Sequence, residues 1–175
     1  RADFLPTSPG EHVRCLHPYQ QGEIPLVLVH GTFSSPATWA QLVNELENDP
    51  EVGSHYQPWL FMYNSGNPIG WSAGILAETL QRVVAQLDPN GEDPALRQMV
   101  VVGHSQGGLL TKLMVVESGD SFWNNVARRP IDDFDLEPES RTILKRSLYF
   151  EPRPFVSRVV FMATPHRGSF LSDFR

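Results

Sequence analysis

Gly103-His104-Ser105-Gln106-Gly107 sets a serine midway between two glycines. Val100, Val101 and Val102 precede it as a short, wholly apolar strand, and a helical run follows from Gln106. Only Gly103, His104 and Ser105 stand between the two, so the corner is sharp. A serine there has strained backbone angles and an exposed hydroxyl, and glycines two before and two after it remove the Cβ atoms that would clash. Ser105 is therefore a candidate nucleophile. A serine hydroxyl attacks an ester or amide effectively only when a base takes its proton and donors stabilise the oxyanion.

Donors are available in the backbone. The N–H of Gln106 opens the helix, and a second N–H is assigned to Thr32, in the turn His30-Gly31-Thr32-Phe33 that follows the apolar strand Leu26, Val27, Leu28, Val29. Gly31 permits close approach there, and Gly31 and Phe33 are read as substrate-contacting. Because the donors are backbone groups, the side chains of Thr32 and Gln106 are expected to be free to vary. The base is harder to place among six histidines. His30 and His104 read as packing residues. His166, at the carboxyl end of a later strand, is the one candidate base, with Asp120, Asp132, Asp133, Asp135 or Asp173 to orient it; the competing role is that His166 and Arg167 organise their own loop. No Cys/His cluster has zinc spacing, the pairs Asp132-Asp133 and Glu92-Asp93 read as solvated charge, and the glycines around Ser105 are wrongly spaced for a phosphate loop. No metal or cofactor is implied.

The elements that must position these groups alternate. Residues 1–25 hold Pro6, Pro9, Gly10, Pro18, Gly22 and Pro25 and read as an irregular lead-in with one short strand around residues 12–16. After the strand ending at Val29, Ser35 as N-cap and Pro36 at the first helical position open a helix with Trp39, Leu42, Val43 and Leu46 on one side. Residues 56–63 form an aromatic strand broken by Asn64-Ser65-Gly66-Asn67-Pro68, and residues 71–87 keep a helical period until Asp88-Pro89-Asn90-Gly91. A last apolar strand over residues 156–163 delivers Thr164-Pro165-His166-Arg167-Gly168-Ser169. Apolar strands alternating with helices specify an α/β fold, a mostly parallel sheet flanked by helices on both faces. Right-handed crossovers then bring the strand ends that carry Ser105, Gly31-Thr32, Asn64-Ser65 and His166 to one edge. Residues 119–155, with Phe122, Trp123, Phe134, Tyr149, Phe150 and a helix over 139–148, interrupt the alternation. They read either as a lid or cap insertion over an apolar pocket or as an extra surface helix.

His30-Gly31 after an apolar strand, Gly103-His104-Ser105-Gln106-Gly107-Gly108, and Ala163-Thr164-Pro165-His166-Arg167-Gly168-Ser169 after a later one together resemble the bacterial lipases and related esterases of the α/β-hydrolase fold. The chain is also similar to the branch containing deacylases of glycosylated phosphatidylinositol anchors. The resemblance runs from about Pro25 to the end. It implies that Ser105 is the nucleophile, that Thr32 and Gln106 form the oxyanion hole, and that His30 supports the oxyanion loop. It further implies an acid and a histidine base on loops after later strands, which places both beyond Arg175 and makes His166 part of a separate loop motif. Residues 1–175 accordingly read as one α/β-hydrolase domain, truncated on its C-terminal side.

Composition bounds the alternatives. A chain of 175 residues with 41% hydrophobic and 19% charged residues makes one domain with a real core, and a net charge of −6 disfavours nucleic acid and anionic membranes. No apolar run approaches the roughly 18 residues of a spanning helix. Cys15, the lone cysteine, leaves the redox compartment undecided, and localisation is open. The expected function is a serine hydrolase acting on lipid or other apolar acyl esters, a small-molecule or lipid substrate. Its competitors are a non-catalytic module of the same fold that binds lipid or protein, and an acyltransferase using the same site. A sheet lacking its later strands is expected to expose an unpaired apolar edge.

Overall fold

The computed structural model describes residues 5–8 and 11–168. Six strands form one sheet: β1 (Leu5–Ser8), β2 (Glu11–Cys15), β3 (Ile24–Val29), β4 (Tyr56–Met62), β5 (Met99–His104) and β6 (Val156–Met162), in the order β1-β2-β4-β3-β5-β6. Strands β3 to β6 are mutually parallel, whereas β1 and β2 add to the β4 side antiparallel. The helices are α1 (Ala40–Asn48), α2 (Pro50–Gly53), α3 (Ile69–Leu87), α4 (Gln106–Leu113) and α5 (Pro138–Leu148).

Strand alternation sorts the core into two layers, because successive side chains point to opposite faces. On β3, Val27 and Val29 join Trp59, Phe61 and Val101 against Leu76, Leu80 and Val83 of α3, Leu110 of α4 and Met114 just past its end. Leu26 and Leu28 turn the other way, with Val100 and Val102, against Trp39 and Val43. Trp39 closes a 3-10 turn, Pro36–Trp39, that leads into α1. Two-sided burial is why β3 and β5 are apolar throughout.

One expectation is corrected. The lead-in is less irregular than expected: the short strand expected around residues 12–16 is β2, and β1 joins the sheet beside it. Its prolines misled because an edge strand needs donors on one side only, so Pro6 is tolerated in β1, where the register shifts between Pro6 and Ser8. Val13 of β2 is buried in the main core and Cys15 packs against it. Helices flank the sheet on both faces, as expected, with β6 at its more open side. Among the described strands β6 pairs with β5 alone, and Val160, Phe161 and Met162 are 45%, 40% and 41% exposed.

Residues 119–155 wrap Trp123, whose ring meets Phe134 edge-on and whose Nε1–H donates to the Arg129 carbonyl at 2.7 Å, and return Phe150 and Phe155 to the main core. Helix α5 lies on α3. A Cβ on Gly70 or Gly74 would overlap the Ser147 carbonyl or the Arg146 backbone, so these glycines set how closely the two helices approach. Arg146 also pairs with Glu78 at 2.7 Å and lies over the Trp71 ring.

Candidate active site

The carboxyl ends of β3, β4, β5 and β6 meet at one edge, and Ser105 stands at the corner between β5 and α4. Its φ of 53° and ψ of −122° are strained for a residue bearing a Cβ. The corner is closed by packed backbone. A Cβ on Gly103 would lie 2.5 Å from the Gly107 carbonyl oxygen and from the Gly108 Cα and N, and one on Gly107 would overlap the carbonyls of Val29 and His30. On the β6 side, Ser105 N–H donates to the Met162 carbonyl at 2.8 Å, and Gly108 makes room for Thr164. Gly31 approaches from β3, its Cβ position 2.9 Å from Ser105 Cβ and 3.2 Å from His104 Nδ1.

Among the described residues, Ser105 Oγ has no hydrogen-bond partner, and neither do the backbone N–H groups of Thr32 and Gln106. Gln106 is the first residue of α4, where the helix leaves its N–H groups unpaired and the dipole favours negative charge. The side chains are less free than the sequence suggested. Thr32 Oγ1 and Gln106 Oε1 are 2.5 Å apart, Gln106 Nε2–H donates to the Ser65 carbonyl at 3.1 Å, and Phe33 N–H donates to Ser65 Oγ at 3.0 Å. Phe33 is 99% exposed at a φ of 50°. Sequence reasoning placed Ser65 at the right edge without a role. No spacing in the chain signals that role, because it depends on β4 lying beside β3, which sets their following loops side by side.

The histidines divide. His30 is buried, stacked on Tyr63 at 4.5 Å, with its Nδ1–H donating to the Gly31 carbonyl and its own carbonyl accepting from Tyr63 Oη at 2.8 Å. Burial lowers its pKa below the usual histidine value, against the opposing effect of the backbone bonds. His104 sits edge-on to Trp39, its Nδ1 buried without a partner. His166 is exposed, its N–H closing a turn onto the Thr164 carbonyl at 3.0 Å and its ring edge-on to Phe161 at 4.6 Å. The structure brings it to the same edge without a bond to Ser105. Of its candidate orienters, Asp132 pairs with Arg141 and Lys145 at 3.0 and 3.2 Å, and Asp173 lies outside the described residues. Burial pushes the Cys15 thiol up to about 11, which removes a competing thiolate nucleophile at neutral pH. Among the described residues no cluster of His, Cys, Asp and Glu could hold a metal ion, and no helix is long and apolar enough to cross a membrane.

Comparison with known proteins follows the same outline. No curated protein matches the chain. A mature lipase from Bacillus licheniformis, BlEst2, superposes with a TM-score of 0.51 at 18% identity, covering 91% of this chain and 47% of the lipase. Its propeptide form gives 0.49 at 20% identity, covering 91% and 26%. The chain thus spans less than half the length of these solved relatives. Residues 26–174 match the alpha/beta hydrolase family, and the chain belongs to it.

Proposed function

We propose that Ser105 is the nucleophile of a serine hydrolase that cleaves carboxylic esters with apolar acyl groups, of lipase or carboxylesterase type. The observation that carries this is the strained Ser105, its Oγ unbonded, beside the unpaired N–H groups of Thr32 and Gln106. In the first step a base takes the Ser105 hydroxyl proton as Oγ bonds to the ester carbonyl carbon. The carbonyl oxygen becomes an oxyanion held by the two N–H groups, and removing one such donor typically costs about 2.7–4 kcal/mol of transition-state stabilisation. Collapse breaks the bond to the alkoxy oxygen, which leaves as the alcohol with the proton from the base. Water then hydrolyses the acyl-serine, releasing the carboxylic acid and regenerating the hydroxyl.

Gly31 and Phe33 are the proposed substrate contacts, Gly31 by admitting the carbonyl close to Ser105 and Phe33 by its exposed ring beside the donors. His166 is the candidate base among the described residues. In the full-length protein, turnover of p-nitrophenyl esters is expected and Ser105→Ala abolishes it; retained turnover in that variant would end the proposal. The second reading, a non-catalytic module that binds lipid or protein, is favoured by the absence of any described imidazole bonded to Ser105. It predicts a folded wild type without turnover. Acyl transfer shares the first step and differs in the acceptor, so added alcohol would divert product from acid to ester.

A further inference from the structure

We infer that the Gln106 carboxamide is a positioning clamp that holds the loops after β3 and β4 against the start of α4 and so aims the Thr32 N–H at the oxyanion; this rests on the hydrolase reading above. Gln106 is only 9% exposed although it opens a helix at the sheet edge, where a polar side chain would ordinarily reach into water. Both ends of its carboxamide are engaged instead. The Ser65 carbonyl can only accept, so Nε2 must face it, which leaves Oε1 toward Thr32 and makes the Thr32 hydroxyl the donor there. The only hydrogen of the Thr32 hydroxyl is thereby committed to Gln106, and the backbone N–H is the donor Thr32 can offer a substrate.

Ser65 completes a ring. Its carbonyl accepts from Gln106 while its Oγ accepts from Phe33 N–H, and Phe33 is covalently next to Thr32. The ring Thr32, Gln106, Ser65, Phe33 therefore joins two loops and a helix start that are far apart in sequence. It also accounts for the turn itself. A phenylalanine at φ 50° with a fully exposed ring has no packing to hold it there. Such a conformation persists only where its surroundings over-determine it, and the bonds made by the Phe33 N–H and by the preceding Thr32 hydroxyl supply that hold. Gln106 acts through Thr32 rather than on the substrate, and its own backbone N–H is untouched by a side-chain change.

The test compares wild type, Gln106→Met, Thr32→Val, Thr32→Ser and the double variant Gln106→Met/Thr32→Val in the full-length protein, by amide hydrogen exchange and p-nitrophenyl ester kinetics. Methionine and valine keep volume and lose the bonds. Expected is exchange about tenfold faster in residues 31–34 and 63–67 together, with kcat lowered about tenfold and KM within about twofold. Thr32→Ser should restore both, and the double variant should fall no further than the single ones, because each breaks the same ring. Unchanged exchange in Gln106→Met would overturn the clamp. Faster exchange with unchanged kcat would overturn its positioning role. If folded wild type turns over no ester, the hydrolase reading fails by itself, and the paired exchange and its non-additivity still decide whether the ring exists.

Discussion

Substituting Gly103 by alanine separates two opposed effects at the corner that carries Ser105. Replacing glycine within a strand by alanine ordinarily stabilises by about 0.5–1 kcal/mol, through the unfolded chain's lost freedom. Here the new Cβ would lie 2.5 Å from Gly107 O, Gly108 Cα and Gly108 N, where ordinary contact begins near 3.4 Å. All three are backbone atoms of the first turn of α4, so no side chain can swing aside; α4 must shift by most of an ångström. Overpacking of this kind costs about 1–3 kcal/mol, so it outweighs the gain and leaves a net loss of roughly 1–2 kcal/mol. At about 2–4 °C per kcal/mol for a chain of this size, Tm should fall by roughly 2–8 °C. The same shift displaces Ser105 from its donors, and a misplacement near 1 Å lowers reactivity by about a hundredfold. Differential scanning calorimetry and the rate of fluorophosphonate labelling read the two effects. A Gly103→Ala protein with raised Tm and undiminished labelling would refute the claim that strand end and helix start meet backbone on backbone.

Three further outcomes follow from other parts of the molecule. His30 is held neutral by burial, so the unfolded chain binds more protons than the folded one below the ordinary histidine pKa, and stability is complete above that value and lost as pH falls toward the lowered one; His30→Gln should flatten the dependence of urea midpoint on pH between about 7 and 5, and an unchanged slope would assign it elsewhere. Phe33→Ala should lower kcat/KM on octanoyl esters by about tenfold more than on acetyl esters if the ring meets the acyl chain, at roughly 0.8 kcal/mol per buried methylene; an equal effect on both would remove Phe33 from the substrate contacts. Gly74→Ala places a Cβ against Arg146 and should loosen α5 from α3, seen as faster limited proteolysis within Pro138–Leu148 at unchanged cleavage elsewhere; unchanged proteolysis would mean that α5 stays docked without this close approach.

How legible each part was depends on how local its cause is. The corner at Ser105 was readable because glycine spacing, a β-branched strand and a following helix all act within a dozen residues. Strands β3 and β5 were readable because two-sided burial demands continuous apolar sequence. By contrast β1 carries Pro6, which only an edge position, a tertiary property, admits, and β2, with Glu11 and Arg14, is held between β1 and β4 by pairings that no local pattern announces. The exposure of β6 was anticipated as an unpaired edge, though its composition alone, Val159, Val160, Phe161 and Met162, reads as a covered strand. At the site, the sharp corner and the turn after β3 could be located from local pattern, while the bond between Thr32 and Gln106 and the part of Ser65 could not. They depend on which loops stand side by side, and no spacing in the chain encodes that.

The central claim, that Ser105 is a nucleophile activated at the edge of this sheet, is tested most directly by intact mass after exposure to a fluorophosphonate, with Ser105→Ala alongside and circular dichroism to confirm folding. The account predicts a single adduct on the full-length protein and none on the variant. A folded full-length protein that stays unlabelled, or a variant that labels as readily as wild type, would contradict it.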